Sequence, residues 1–300
     1  EGTRSDDPND TIPHQHRRDL RGLAVFCAWL NHTDAKGGNS LDALTELNGV
    51  RFVRHYLMDF GSILGSDSDM PKNARFGAEY IIPPGRHVLA RMFLLGLDVR
   101  NWESADYGDS KAVGRLESQA FDPEKWKPNY PNPAFLHRLP DDEYWAARIV
   151  MAFRAEDIRA IVETGQYSDP RVVDYITARL VERRNKILRV YLTKVLALDD
   201  FRIQDGALKF EDLPVNLDYL GPRRYQVAWA RFDNETETST PIEGATTLRL
   251  PAEATLQQDG ANRFYAATIT AQGEPAKAVT VYVALGPAAP RVVGIERTWR

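Results

Sequence analysis

The chain has 300 residues, 43% of them hydrophobic and 27% charged, enough for one large or two ordinary globular domains with a buried core. Its 38 Lys and Arg against 42 Asp and Glu leave a net charge of −4, which gives no ground for a nucleic-acid partner or an anionic membrane surface. The single cysteine, Cys27, excludes an intrachain disulfide and a disulfide-rich secreted scaffold, and with no apolar run approaching 18 residues no transmembrane segment is expected.

The sequence opens Glu1-Gly2-Thr3 without methionine, as expected after processing or truncation. Removal of a signal peptide would make the protein secreted or cell-surface, so its compartment is left open. Residues 1–16 are polar and read as an extended lead-in. Leu20, Leu23, Ala24, Phe26, Cys27 and Leu30 then recur at helical spacing, which predicts a helix with Cys27 in the core and Asp19 in the first turn, where negative charge suits the dipole. The helix delivers the chain into a polar loop, Asn31 to Asn39. Ser40 to Leu47 reads as a short bridge to the turn pair Asn48-Gly49. Val50 to Met58 reads as a strand that carries Asp59 back beside Asp34 and Asn39. Small polar residues from Gly61 to Asp69 make a surface loop or a mobile segment.

Further along, His87 to Leu97 reads as an apolar helix after the stop Pro83-Pro84-Gly85. Residues 101–141 carry Trp102, Tyr107, Phe121, Trp126, Tyr130 and Phe135 among five prolines, without periodicity. Such a stretch is either a substrate-facing wall or an ordered wrap packing its aromatics on the helices. Three helices follow. The first starts at Asp141-Asp142-Glu143, with Trp145, Ile149, Val150 and Phe153 as its stripe. The second spans Glu156 to Thr164 and stops at Gly165. The third begins after Ser168-Asp169-Pro170, turning Val172, Val173, Ile176, Leu180, Ile187, Val190 and Tyr191 inward and Arg179, Arg183, Arg184, Lys186 and Arg189 to solvent.

After Leu198 the pattern changes to period-two alternation at Tyr225–Trp229, Phe264–Ile269 and Val279–Val283, with turn clusters at Asp233-Asn234 and Asp259-Gly260. This predicts an α+β chain: a mainly helical domain over 1–200 and an antiparallel β-sandwich over 201–300, with the boundary near 197 to 207.

The chemistry concentrates in His32-x-Asp34-x-Lys36-x-x-Asn39 and Asp59-Phe60-Gly61. Two carboxylates, an amide and an ammonium form the kit that phosphoryl transfer uses. The intervals resemble the protein-kinase catalytic loop followed by its metal-binding tripeptide. The helix ending Ala28-Trp29-Leu30-Asn31-His32-Thr33-Asp34 also resembles the loop entry of phosphatidylinositol kinases and other atypical kinases. The resemblance spans roughly residues 17 to 65.

It implies a kinase C-lobe-like first domain, in which Asp34 orients or deprotonates an acceptor hydroxyl. Asn39 and Asp59 would hold Mg²⁺ or Mn²⁺, and Lys36 would be both a catalytic group and the cation on the ATP phosphates. His32 would brace the loop. The 31 residues before His32 contain neither the glycine-rich loop nor the Lys–Glu pair of a nucleotide lobe, so ATP is expected only with a missing N-terminal lobe or a second chain. The acceptor is unknown. His16-Arg17-Arg18-Asp19-Leu20 mimics the loop motif but lacks the following Asn.

Three other readings stand beside this one. Asp34 and Asn39 can be loop residues bonding their own backbone. The chain can be a non-catalytic surface or assembly protein, a degenerate kinase-like lobe carrying a β-sandwich binding module. It can also be a metal-dependent hydrolase drawing on Asp34, Asp59 and the histidines, with His14, His16, His32 and His55 as candidate transition-metal ligands.

Overall fold

The computed structural model describes residues 14–82, 85, 93, 100–108, 110–255, 263–286 and 289–299. The expected helix over His87–Leu97, apart from Phe93, and the turn at Asp259-Gly260 lie outside them. The chain divides into two compact units, Glu1–Val190 and Tyr191–Arg300, and combines α-helices with antiparallel sheets. No helix among the described residues is long and apolar enough to cross a membrane.

In the first unit, helix α1 (Arg18–Leu30) buries Gly22, Ala24, Val25, Cys27, Ala28 and Trp29. Burial raises the Cys27 thiol far above its usual range, so it packs as a small hydrophobe. After the loop, β1 (Ser40–Leu47) and β2 (Val50–Leu57) form an antiparallel hairpin with Leu47 opposite Val50. Asn48 (φ 52°) and Gly49 (φ 77°) supply the two left-handed residues of its turn. Ser40–Leu47 is therefore a strand and not the short bridge expected from sequence. The hairpin stands out from the unit, with Leu44 68%, Val50 64% and Leu47 58% exposed. A small ribbon of β3 (Ser66–Asp67) and β4 (Met70–Pro71) follows.

Helices α2 (Pro133–Leu136), α3 (Pro140–Met151), α4 (Ala155–Glu163) and α5 (Pro170–Tyr191) complete this unit. Helix α3 packs on α1 with Tyr144, Ala146, Ala147 and Val150 buried. Arg21 binds Asp142 at 2.7 Å, which seats cations of α1 on the acidic first turn of α3. Helix α5 starts where Asp169 accepts from the Arg171 N–H at 2.9 Å, the capping anticipated from Asp169-Pro170. Its inward stripe is Val172, Val173, Ile176, Leu180, Ile187 and Leu188.

In the second unit, β5 (Leu198–Gln204) pairs with β6 (Ala207–Asp212), and α6 (Leu213–Asn216) follows. Strands β7 (Tyr225–Asp233), β8 (Thr238–Pro241), β9 (Arg263–Ala271), β10 (Glu274–Leu285) and β11 (Arg291–Trp299) build one antiparallel sheet in the order β11-β10-β9-β7-β8, with α7 (Ala252–Thr255) before β9. Alternation sends Val227 and Trp229, Ala267 and Ile269, and Val279, Val281 and Val283 into one core. Phe201, Ile203 and Phe210 of the β5–β6 ribbon pack against that core.

Candidate functional site

The loop begins where α1 is made to stop. Asn31 is left-handed (φ 53°), and the His32 N–H reaches back to the Cys27 carbonyl at 2.8 Å. The last carbonyls of α1 then meet a cation. Arg183 is only 2% exposed; its Nε donates to the Trp29 carbonyl at 2.8 Å, and Nη2 donates to that of Ala28. Its Nη1 donates to the Glu117 carbonyl at 2.7 Å, and its guanidinium lies 3.6 Å from the Phe121 ring centre. Arg183 thus departs from the solvated face expected of it. Burial pulls its pKa down to about 9.

The aromatic stretch between 101 and 141 underpins the loop. Trp126 Nε1 donates to Asn31 Oδ1 at 3.0 Å, the Asn129 N–H to the Thr33 carbonyl at 2.6 Å, and Asn132 Nδ2 to the Ala35 carbonyl at 3.0 Å. Residues 31, 33 and 35 are held in alternation from one side. Phe121, Trp126 and Phe135 are themselves buried, so these aromatics wrap the core, while Tyr130 stays exposed. Asn132 also accepts from the Ala134 N–H at 3.0 Å and caps α2.

Three predicted residues share one contact. Asp34 Oδ2 accepts from Asn39 Nδ2 at 2.9 Å and from Lys36 Nζ at 3.2 Å. Asn39 Nδ2 donates as well to the Asp34 carbonyl at 2.8 Å. The hydrogen bond that Lys36 donates to Asp34, with the attraction of that carboxylate, holds Lys36 protonated above the usual lysine range.

The fourth residue, Asp59, sits on the adjoining segment. The Met58 N–H donates to the Asn39 carbonyl at 2.9 Å, which closes the β1–β2 hairpin at its base and sets the Asp59 turn beside Asn39. Asp59 is left-handed (φ 56°), and Oδ1 accepts from the Gly61 N–H at 3.3 Å to cap the turn Phe60–Ser62. Both Asp34 and Asp59 act electrostatically on Lys36 and on His32.

The two segments are joined again at the Ser62 carbonyl. It accepts from Lys72 Nζ at 2.7 Å, from the Thr33 N–H at 3.3 Å, and from His32 Nδ1 at 3.4 Å. The Leu64 N–H donates back to the Leu30 carbonyl at 2.9 Å. His32 is buried, with its ring centre 5.8 Å from that of Phe60. Burial lowers its pKa, which favours the neutral ring.

Sequence reasoning missed Lys72, Arg183, Asn129 and Asn132. Only Asn132 left a signal, since Asn followed by Pro133 is a helix start. Lys72 sits in an unremarkable Met70-Pro71-Lys72-Asn73 run and gave none.

Asn39 donates to Asp34 through its amide nitrogen, so its side-chain oxygen is not used in that contact; were a cation bound by this oxygen and the Asp59 carboxylate, they would be oxygen ligands, the kind that Mg²⁺ or Mn²⁺ takes. Among the described residues, no group of three or more His, Cys, Asp or Glu side chains is gathered to hold a metal ion. No family model, curated protein or solved structure matches this chain.

Proposed function

We propose that this chain is the catalytic part of a phosphotransferase resembling atypical kinases, transferring phosphate from ATP with Mg²⁺ or Mn²⁺. The observation that carries the reading is the double use of Asn39. Its side chain binds Asp34, and its backbone carbonyl binds the residue preceding Asp59, so the loop and the turn form one construction. In this reading Asp34 receives the proton of the acceptor hydroxyl, and Lys36 at its side faces the transferred phosphate. Asn39 and Asp59 hold the cation, which supplies neutralisation of the phosphate charge when bound. The first unit is then a helical kinase C-lobe-like domain and the second a β-sandwich. The lobe covering the nucleotide comes from outside these 300 residues.

The test is calorimetry of MgATP and MnATP with the partner lobe present. Asp59→Asn is expected to abolish metal-dependent binding. Asp34→Asn is expected to bind nearly as the parent does but turn over slowly, because Asp34 acts on the acceptor. The chain alone is expected to bind ATP weakly, since it encodes no cradle for the adenine. Undiminished metal-dependent binding by Asp59→Asn would sink the proposal.

A second reading has its own support in the outstanding hairpin with its exposed Leu44, Leu47 and Val50. A non-catalytic assembly protein would keep such a surface for a partner. It is favoured if the protein with its partner lobe binds no nucleotide at all.

A further inference from the structure

We infer that Lys72 is a positioning residue that fixes the Asp34 loop to the Asp59 turn. Its side chain is 1% exposed, and its ammonium donates to two main-chain carbonyls on different segments, Asn31 at 3.0 Å and Ser62 at 2.7 Å. Asn31 lies three residues before Asp34, and Ser62 lies three residues after Asp59. The lysine therefore bridges equivalent points on the two strands of chain that carry the carboxylates.

A buried cation is costly unless its donors are used, so its placement between two carbonyls is specific. Its own backbone is held too: the Lys72 N–H donates to the Gly65 carbonyl at 2.9 Å, and its carbonyl accepts from Arg115 Nη1 at 3.1 Å. The charges acting on the ammonium are Asp67, Asp34 and Arg183. Without Lys72, the cross-links left between the segments among the described residues are the Met58 N–H to Asn39, the Thr33 N–H to Ser62, the Leu64 N–H to Leu30 and the His32 ring.

The inference rests on the phosphotransferase reading only for the use of the aligned carboxylates, and the experiment separates the two. Lys72→Met is compared with the parent and with Val150→Ala, a buried change in α3 remote in sequence from both segments. Native-state hydrogen exchange is read at the Thr33 and Leu64 amides. Manganese binding is followed by electron paramagnetic resonance.

Lys72→Met is expected to speed exchange at Thr33 and Leu64 by about tenfold or more, the scale of a lost charged hydrogen bond, while amides of α3 keep their protection. The same variant is expected to weaken Mn²⁺ binding about tenfold and broaden its spectrum, whereas Val150→Ala lowers stability without either effect. Unchanged exchange at Thr33 and Leu64, or acceleration spread evenly over the unit, overturns the inference. If the parent binds no Mn²⁺, the phosphotransferase reading fails, and the exchange result alone decides the role of Lys72.

Discussion

Replacing Arg183 by Met would strip the cation from the end of α1. The guanidinium is enclosed and serves three carbonyls, those of Ala28, Trp29 and Glu117. The Ala28 carbonyl keeps a second donor, the Asn31 N–H at 3.3 Å, so the loss falls chiefly on Trp29 and Glu117. Two stranded carbonyls, that of Trp29 buried and that of Glu117 part-buried, at roughly 1–3 kcal/mol each give roughly 2–6 kcal/mol as an upper range. Against this, methionine fills the space beside Phe121 and removes a charge that burial disfavours, which returns part of the loss. A net destabilisation of about 3 kcal/mol follows, or roughly 6–12 °C in the melting of a unit of this size. Arg183→Lys should recover little, because a single ammonium cannot reproduce the fork that reaches both ends of the site. Urea denaturation of the full chain, followed by tryptophan fluorescence, measures the effect. A loss under about 1 kcal/mol in Arg183→Met would mean the helix end is held by something other than this guanidinium.

Lys72 makes stability depend on alkaline pH. Burial lowers its pKa from 10.5 to about 8, so the unfolded chain binds more protons between those values, and stability rises with pH across that window by up to about 3 kcal/mol. A neutral amine still has two N–H groups for its two carbonyls, so the bridge survives; the stability advantage over Lys72→Met should grow from pH 8 to 10, and a flat difference would refute the sign. Gly65→Ala should disable the first unit, because the backbone there has φ +80° and an added Cβ would fall 2.2 Å from the Arg115 carbonyl carbon; a soluble variant with the parent melting temperature would contradict that geometry. In the second unit, Asp212 is a buried carboxylate accepting from Arg223 Nε and Nη2 at 2.8 Å each and from the Tyr225 hydroxyl at 2.7 Å. Asp212→Asn should cost about 3 kcal/mol in urea denaturation, since an amide cannot accept all of these and leaves Arg223 short of its counter-charge.

Much of the helical frame could be read from residues that act locally. The stripe from Leu20 to Leu30, the stop at Gly165 and the start at Asp169-Pro170 depend on neighbours three or four positions away, and α1, α4 and α5 follow them. The strands at Tyr225, Phe264 and Val279 were legible because one face of their sheet is buried, which leaves an apolar residue at every second position over much of each strand. Strand β1 hid for the opposite reason. Both of its faces meet solvent, and Leu44 shares the alternate positions of Glu46, so no clean apolar–polar alternation marks it. The arginines of α5 misled because charge at helical spacing normally marks a solvated face. Only the folded chain brings the Ala28 and Trp29 carbonyls to Arg183, across 155 and 154 positions. The same holds for the site: the motif named Asp34, Lys36, Asn39 and Asp59, while Lys72, Asn129 and Asn132 act through main-chain carbonyls and Trp126 through the Asn31 side chain, contacts that no side-chain pattern reports.

The hairpin between Asn39 and Met58 has a consequence for how the protein behaves in bulk. Its two strands pair only with each other among the described residues, so each offers an open row of main-chain donors and acceptors flanked by uncovered leucine and valine. Such an edge is a template on which another strand can add, and at high concentration the chains should accrete through it before either unit unfolds. A lysine in place of Leu44, at the middle of the strand and clear of the Asn39–Met58 closure, would act as a gatekeeper and keep concentrated solutions clear.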